Sequence, residues 1–399
     1  MKVLYLDPHP VPDTTPEALQ ILQTADALSR CGAEVDLVAP APPHGKSAEA
    51  ILGRPLSPGL RLQPTRDFRR AWWFPSGSSK LFYREARAIV ATSNADVVLV
   101  RNLKLAEALL TLRRRPPLFF ETHEIFAQSY RESNPIPNWR QRAKLAALTR
   151  REEFVYRHAN GLLALTQLLM DDIRTTYAVT TPAVVVPDGV DLELARQALS
   201  SASSFDEKNN KVLYLGSLHP WKGVETLVQA AVDLPQAKIQ IAGGTSARIA
   251  ELHNLANALD VADRIEFLGP VAPAERFHII GAARVCVLPL TATSIATRYT
   301  SPLKLFEYMA MGRAIVAADT PAIREVLTNE RDALLVVPED SHALASAIAR
   351  LLAEPDMAQQ LGAEAQRHVA ERYSWEARAG MILDFRSMIA KAQPRHLAP

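Results

Sequence analysis

The sequence predicts an α/β protein with two doubly wound parallel sheets, and three observations lead to this prediction. A chain of 399 residues is too long for one ordinary hydrophobic core, so two domains are expected. Short apolar runs alternate with amphipathic stretches of helical period, as they do in parallel sheets covered by helices. A polar stretch without apolar periodicity, residues 200–210, interrupts this alternation near the middle of the chain.

The first half starts with a strand and a well-marked helix. Val3–Leu6 is the first apolar run, and Thr15 offers a helix N-cap followed by Pro16 at the first helical position. Gly32 is expected to end this helix. Further strands of the first half are expected at Val35–Val38, Asp96–Val100, Leu118–Glu121, Gly161–Leu165 and Ala183–Val186.

The second half repeats the pattern, with strands expected at Val212–Leu215, Lys238–Ala242, Ile265–Leu268, Val285–Leu288, Ile315–Ala317 and Leu334–Val337. We therefore predict an N-terminal domain over 1–195, a linker over 196–210 and a C-terminal domain over 211–375. A last helix within 376–399 is expected to pack back on the first domain. Because such sheets bind ligands beyond their C-terminal strand ends, the two domains are expected to face each other across a cleft.

Composition and charge exclude several classes of protein. Hydrophobic residues make up 48% of the chain and charged residues 22%, which is the balance of a globular protein. The two cysteines, Cys31 and Cys286, provide neither a disulfide framework nor zinc-site spacing. Asp7 interrupts the N-terminal apolar run, and no run reaches the roughly 20 residues that cross a bilayer. With no nucleic-acid-binding motif either, we expect a cytoplasmic protein without a nucleic acid partner.

Two segments of the second half are suited to binding a phosphorylated ligand. Tyr214–Gly223 leaves a strand, turns on Gly216 and brings Lys222 to the start of a helix, where backbone N–H groups attract anions. Gly243 and Gly244 end another strand and allow a ligand to approach the backbone closely. An ordinary βα loop with an exposed lysine is the alternative interpretation. The glycine-rich signatures of dinucleotide oxidoreductases and P-loop nucleotidases are both absent.

A third segment, residues 299–312, predicts a helix that begins at a ligand. Ser301 is the expected N-cap and Pro302 the first helical residue, so the helix would present free N–H groups there. Glu307 follows within the helix, close enough to reach a ligand at its N-terminus and suited to bind a ribose diol. In an isolated helix, a glutamate paired with a surface lysine would be the alternative.

Taken in order, these segments resemble the retaining GT-B glycosyltransferases of family 4. The matching motifs are Gly-x-x-x-x-x-Lys-Gly at 216–223, Ala-Gly-Gly at 242–244, Phe-Leu-Gly at 267–269 and Ser-Pro-x-Lys-x-x-Glu-Tyr-Met-Ala-x-Gly at 301–312. Residues 186–191 and 373–376 match as well, and the resemblance is weakest over 1–120. It implies a GT-B fold and retaining transfer of a hexose from a nucleoside-diphosphate sugar, of UDP or GDP, to a hydroxyl of a glycan or lipid-linked acceptor.

The resemblance also implies roles for individual residues. Lys222 is expected to bind the donor diphosphate and Glu307 its ribose, while Gly243 and Leu268 lie against the base. His123, which follows a strand, matches the acceptor-side histidine that faces the donor sugar. The catalytic set is therefore His123, Lys222 and Glu307. The donor-binding set is Gly216, Ser217, Lys222, Gly243, Leu268, Ser301, Leu303, Lys304, Leu305 and Glu307, in which the N–H groups of residues 303–305 hold phosphate or sugar oxygens.

Two positions depart from the family pattern. Tyr299 stands where the family commonly has a glutamate that contacts the donor sugar, and Ser217 stands where it commonly has an arginine beside the diphosphate. Arg298 or Lys304 is expected to supply the missing positive charge. These departures leave open a catalytically silent binding protein with the same fold. Another GT-B enzyme, a nucleotide-sugar epimerase or hydrolase, is a separate alternative.

The sequence also bears on metal use and on contact with a membrane. No Asp-x-Asp motif follows an expected strand, so we expect catalysis without a metal ion or another cofactor. Residues 66–84 interleave arginines with aromatic residues, which suggests peripheral contact with the inner membrane face and a lipid-linked acceptor. An ordinary surface loop is the alternative for this segment.

Overall fold

A computed structural model describes residues 1–42, 47–66, 79–201, 209–273 and 275–392. The chain divides into two compact units. The first unit consists of Met1–Pro187 together with Trp375–Pro399, and the second consists of Asp188–Ser374. The chain therefore returns to its first unit after completing the second.

The boundary between the units differs from the sequence prediction. Helix Leu192–Ser201, which falls across the predicted domain end at 195 and the linker at 196–210, belongs to the second unit. Ala195 and Ala198 of this helix are buried in the core of that unit. The burial of these two residues assigns the helix to the second unit, because small apolar side chains on one helical face pack well against other helices. Residues 202–208 of the predicted linker lie outside the described residues.

A sheet of seven parallel strands forms the first unit, in the order β3-β2-β1-β4-β5-β6-β7. The strands are β1 Lys2–Leu6, β2 Glu34–Pro40, β3 Leu60–Thr65, β4 Val97–Val100, β5 Leu118–Thr122, β6 Gly161–Ala164 and β7 Ala183–Val185. The helices are α1 Pro16–Arg30, α2 Ala48–Leu52, α3 Lys80–Thr92, α4 Leu103–Leu110, α5 Phe126–Glu132, α6 Trp139–His158, α7 Gln167–Tyr177 and, from the end of the chain, α16 Trp375–Ala392. The strand order reverses between β1 and β4, as it does in doubly wound sheets.

A sheet of six parallel strands forms the second unit, in the order β10-β9-β8-β11-β12-β13. The strands are β8 Lys211–Leu215, β9 Lys238–Ala242, β10 Ile265–Gly269, β11 Val285–Leu288, β12 Ala314–Ala318 and β13 Leu334–Val336. The helices are α8 Leu192–Ser201, α9 Val224–Ala230, α10 Ser246–Ala258, α11 Arg276–Ala282, α12 Leu303–Ala310, α13 Pro321–Arg324, α14 Ser341–Ala353 and α15 Pro355–Arg372.

The predicted pair of doubly wound parallel sheets is confirmed, with one strand added. Strand β3 was not expected from the sequence, because Arg61, Gln63 and Pro64 break its apolar pattern. This strand lies at the edge of its sheet, where polar residues and proline are tolerated. The start of α1 is confirmed, since the Thr15 hydroxyl accepts a hydrogen bond from the backbone of Ala18 at 3.4 Å.

Candidate active site

The turn after β8 carries the first predicted site residues. Gly216 has a φ of 143°, which side chains rarely adopt, and its N–H donates to the Ala242 carbonyl at 2.9 Å. The Tyr214 hydroxyl donates to the Ser217 carbonyl at 2.7 Å and fixes the turn. Gly216 and Ser217 are thereby held at the C-terminal edge of the sheet, where α/β proteins bind ligands.

Lys222 ends the short 3₁₀ turn Pro220–Lys222 that follows. Its Nζ lies 3.5 Å from the centre of the Trp221 ring, a cation–π contact that keeps the ammonium group close to the loop. Helix α9 begins two residues later at Val224, as the sequence predicts. Lys222 is half-buried and therefore accessible to a ligand at this strand edge.

Gly243 and Leu268 lie at the ends of β9 and β10. The Gly243 N–H donates to the Gly269 carbonyl at 2.6 Å. A Cβ atom at position 243 would lie 2.1 Å from the Gly216 carbonyl oxygen, so no larger residue fits. The strand register shifts between Phe267 and Gly269 and leaves the half-buried Leu268 in a bulge, a feature that redirects a side chain near many sites.

The predicted N-cap role of Ser301 is wrong. Pro302 is the N-cap of α12, and Leu303 is its first helical residue. The Ser301 hydroxyl instead accepts a hydrogen bond from the Asp188 N–H at 2.9 Å, so it holds the start of the second unit rather than the helix.

The first turn of α12 contains the three N–H groups that were expected to hold ligand oxygens. The Leu305 N–H donates to the Pro302 carbonyl at 2.8 Å and is engaged within the turn. Leu303 and Lys304 precede it, at positions where N–H groups have no acceptor within a helix. The ligand-binding role of the helix start therefore rests on these two residues.

Glu307 is buried inside α12, with 6% of its surface exposed. The Nε atom of Arg276, the first residue of α11, lies 2.9 Å from Glu307 Oε1. Burial raises the pKa of Glu307, while the positive charges of Arg276 and Lys304 act in the opposite direction. The Tyr308 hydroxyl accepts from the Leu215 N–H at 2.8 Å and ties this helix to the end of β8.

Positive charges gather around this carboxylate. Burial lowers the pKa of Lys304 well below its usual range, the nearby charge of Lys222 lowers it further, and Glu307 partly compensates. Lys304 Nζ lies over the Gly216 turn, in the same loop as Lys222, and Glu307 follows Lys304 one turn later on α12, so the predicted residues share one region of the second unit. Arg276, which belongs to the same cluster, was missed because no motif marks it.

Tyr299 occupies the position where a glutamate was expected. It ends the π-helix Ile295–Tyr299 and is completely buried. Single turns of π-helix are rare, and those that occur are often found at functional sites. The structure thus places a phenol, and no carboxylate, at this position of the chain.

His123 lies in the first unit, directly after β5. Its Nε2 is 2.6 Å from Glu121 Oε1, and its Nδ1 is 3.4 Å from a guanidinium nitrogen of Arg101. Because arginine only donates hydrogen bonds, Nδ1 is the acceptor and Nε2–H donates to Glu121. The imidazole is therefore held in one tautomer at the C-terminal edge of the first sheet.

Glu121 is the buried carboxylate that orients His123. Its Oε1 also accepts from Gln20 Nε2 at 2.7 Å and lies 2.7 Å from a guanidinium nitrogen of Arg378. Burial by itself would raise the pKa of Glu121, but the Arg378 charge and the His123 hydrogen bond hold it well below its usual range. The carboxylate is therefore ionised throughout the neutral range.

Arg378, on α16, was missed by the sequence analysis. Only 1% of its surface is exposed. Its guanidinium donates to the carbonyls of Val186 and Pro187, the latter at 2.9 Å, and its Nε donates to the Thr24 hydroxyl at 3.2 Å. It joins α1 and the segment after β7 to Glu121, which no sequence motif could indicate.

The predicted membrane segment, 66–84, falls largely at residues 67–78, which lie outside the described residues. Helix α3 covers the end of the segment from Lys80. Across the part of the chain that the structure describes, none of the helices has the length and apolar character needed to span a bilayer.

Two family models match the chain. The model described as Glycosyltransferase Family 4 matches residues 18–194, and the model described as Glycosyl transferases group 1 matches residues 209–354. Each match covers most of one half of the chain, and the second contains the lysines, glycines and glutamate of the cluster described above.

Individual proteins show the same likeness. The D-inositol 3-phosphate glycosyltransferase of Xylanimonas cellulosilytica is 29% identical over 258 residues, which are 61% of this chain and 60% of that protein. Sucrose-phosphate synthase from Thermosynechococcus elongatus superposes with a TM-score of 0.79 at 21% identity, covering 98% of this chain and 100% of that one. Anabaena Alr3699/HepE in complex with UDP gives 0.68 at 19% identity, covering 97% and 100%. These structures share the fold, and the predicted pair of Rossmann-like domains is confirmed.

Proposed function

Because the chain belongs to glycosyltransferase family 4 and has the GT-B fold, we propose that it moves a sugar from a nucleoside-diphosphate sugar to an acceptor hydroxyl. The reaction class is a hexosyl transfer with retention and without a metal ion. A glycan or a lipid-linked molecule is the proposed acceptor.

One observation carries this proposal. Lys304, at the start of α12, has its Nζ over the Gly216 turn that leads to Lys222, and the buried carboxylate of Glu307 lies one turn further along the same helix. A lysine and free helical N–H groups are suited to a diphosphate, and a carboxylate is suited to the two hydroxyls of a ribose. A nucleoside diphosphate contains both groups in one molecule.

The chemistry follows from the same groups. As the bond between the sugar and the diphosphate breaks, negative charge develops on the leaving oxygen and is stabilised by Lys222 and the α12 N–H groups. The sugar then carries oxocarbenium character and is open to the acceptor hydroxyl, whose proton passes to the departing phosphate. His123 is proposed to face the donor sugar, with Nδ1 accepting from a sugar hydroxyl in place of its 3.4 Å contact with Arg101.

The donor is proposed to be a UDP sugar, with GDP sugars as the second choice. The support is that Anabaena HepE, which has this fold, was solved with UDP. The chain matches 60% of the length of the inositol-phosphate enzyme named above, so that acceptor class enters only as a candidate to screen.

Thermal unfolding with UDP, GDP, ADP, CDP and TDP tests donor binding. A ligand at 100 times its dissociation constant adds about 2.7 kcal/mol of stability. We expect one nucleotide to stabilise the protein with EDTA present, and Lys222→Ala to remove the effect. Lys238→Ala is the matched control, because Lys238 is exposed at the opposite edge of the same sheet. If no nucleotide stabilises the native chain, the proposal is wrong.

The second candidate function is a catalytically silent nucleotide-binding protein, which Tyr299 and Ser217 favour. Mass spectrometry of products from the bound donor sugar and an acceptor library separates the candidates. Transfer products support the enzyme, and free sugar or an epimerised donor indicates a hydrolase or epimerase. Binding without turnover indicates the silent protein.

Membrane contact through 66–84 and a cytoplasmic location are proposed together with the lipid-linked acceptor. Co-sedimentation with anionic vesicles tests the contact, and an absence of binding to them would contradict it.

A further inference from the structure

The side chain of Lys304 is an unusual feature of the second unit. It is buried, with 7% of its surface exposed, and its Nζ has no hydrogen-bond partner among the residues that the structure describes. The same atom lies 3.7 Å from the centre of the Tyr214 ring. An ammonium group that is buried without hydrogen bonds destabilises a folded protein, so a structural role alone does not account for it.

The position of Nζ indicates what it binds. A Cβ atom at Gly216 would lie 3.0 Å from Nζ, so the ammonium group lies directly over the turn that follows β8. The residue after that glycine, Ser217, carries no charge. Lys304 is also the second residue of α12, and its backbone N–H points out of the helix start.

We propose that the Lys304 ammonium is the second cation for the donor's diphosphate, an inference that rests on the proposed function. Helix α12 places this ammonium over Gly216, where it acts with Lys222. One residue then supplies both a backbone N–H and a positive charge to the same ligand. It takes over the task that an arginine at position 217 performs in the family pattern. The turn can remain small because the charge reaches it from the helix.

Two further observations agree with this assignment. Burial and the charge of Lys222 lower the pKa of Lys304, while Glu307 acts against them. A diphosphate would relieve both effects, because it replaces the missing hydrogen-bond acceptors and neutralises the two lysines. The cation–π contact with Tyr214 holds the side chain in place over this turn.

The test compares Lys304→Met with the native protein. Isothermal titration measures binding of the nucleoside diphosphate selected by the thermal panel and of the corresponding nucleoside. We expect Lys304→Met to lose about 10- to 100-fold in affinity for the diphosphate, the range of a hydrogen bond to a charged group, and to keep its affinity for the nucleoside. The thermal midpoint of the free protein should stay equal or rise, because the variant no longer buries an unpaired charge.

Further variants make the result specific. Ser217→Arg in the Lys304→Met background should recover diphosphate affinity, because it returns a charge to the same turn, and Lys238→Met should behave as the native protein. Lys304→Gln serves as the second variant if Lys304→Met does not fold.

Three results overturn the inference, namely native diphosphate affinity in the Lys304 variants, an equal loss for nucleoside and diphosphate, or no recovery by Ser217→Arg. A native protein that binds no nucleotide contradicts the proposed function itself, which is a separate outcome.

Discussion

Replacing Arg378 by methionine should strongly destabilise the first unit. The guanidinium is the cation that compensates the buried Glu121, 2.7 Å away, and it also satisfies the carbonyls of Val186 and Pro187. Removing one partner of a buried ion pair costs about 3–5 kcal/mol. Because two carbonyls lose their donor as well, we expect a value near the upper end, measured by urea unfolding of the full-length protein.

The pH dependence identifies the cause. In the native protein the lowered pKa of Glu121 gives stability that is present above the unfolded value of about 4.3 and is lost only as the pH falls through the lower folded value. In Arg378→Met the largest compensating charge is gone, and burial is expected to outweigh the remaining His123 hydrogen bond and Arg101 charge. The folded pKa of Glu121 is then raised, so the destabilising effect of the ionised carboxylate grows with pH. The deficit of the variant should therefore shrink between pH 7 and pH 5.

The controls separate charge from packing. Arg378→Met/Glu121→Gln should recover about 2 kcal/mol of the loss, since a neutral glutamine needs no cation. Lys391→Met, an exposed position on the same helix, should change stability by less than about 0.5 kcal/mol. A deficit that is independent of pH and additive with Glu121→Gln would refute the reasoning.

Three other predictions concern the site itself. His123→Ala should lower turnover by about 10²-fold and leave the thermal shift given by the nucleotide unchanged. The reason is that His123 lies in the first unit and the nucleotide-binding residues lie in the second. A loss of the nucleotide shift would contradict the assignment of His123 to the sugar. Glu307→Gln should weaken binding of the selected ribonucleotide by about 1.5–3 kcal/mol in titration calorimetry. The protein should also lose its preference for the ribonucleotide over the 2′-deoxy analogue. An unchanged preference would show that Glu307 does not bind the ribose. Gly216→Ala should weaken nucleotide binding and lower the thermal midpoint, because a φ of 143° is strained for alanine and its methyl group would displace the Lys304 ammonium. Native behaviour of this variant would contradict the described turn.

The strands and their order of occurrence could be predicted because buried parallel strands are nearly continuous apolar runs. The missed strand β3 shows the limit of that signal, since its polar residues and Pro64 are compatible with an edge position only. The domain boundary was predicted from polar composition, and the burial of Ala195 and Ala198 overrides it. Local composition therefore identifies elements more reliably than it assigns them to a unit.

The candidate site was predictable where its residues follow one another along the chain. Gly216, Lys222 and Glu307 belong to motifs of fixed spacing, and Lys222 and Glu307 are brought together with Lys304. Arg276 and Arg378 were missed because each acts through a partner far away in sequence, at Glu307 and Glu121. The prediction that Ser301 is an N-cap was wrong because its hydroxyl also has a partner far away in sequence, the backbone N–H of Asp188.

The return of the chain to its first unit has a consequence for biosynthesis. The ribosome completes Asp188–Ser374 before it releases α16, which packs against α1 and carries Arg378. During this interval the nascent first unit contains the buried Glu121 without the charge of Arg378, and the second unit can fold as an uninterrupted segment. The half that is made first is therefore finished last, and a fragment that stops at Pro187 should be a client of chaperones rather than a stable domain.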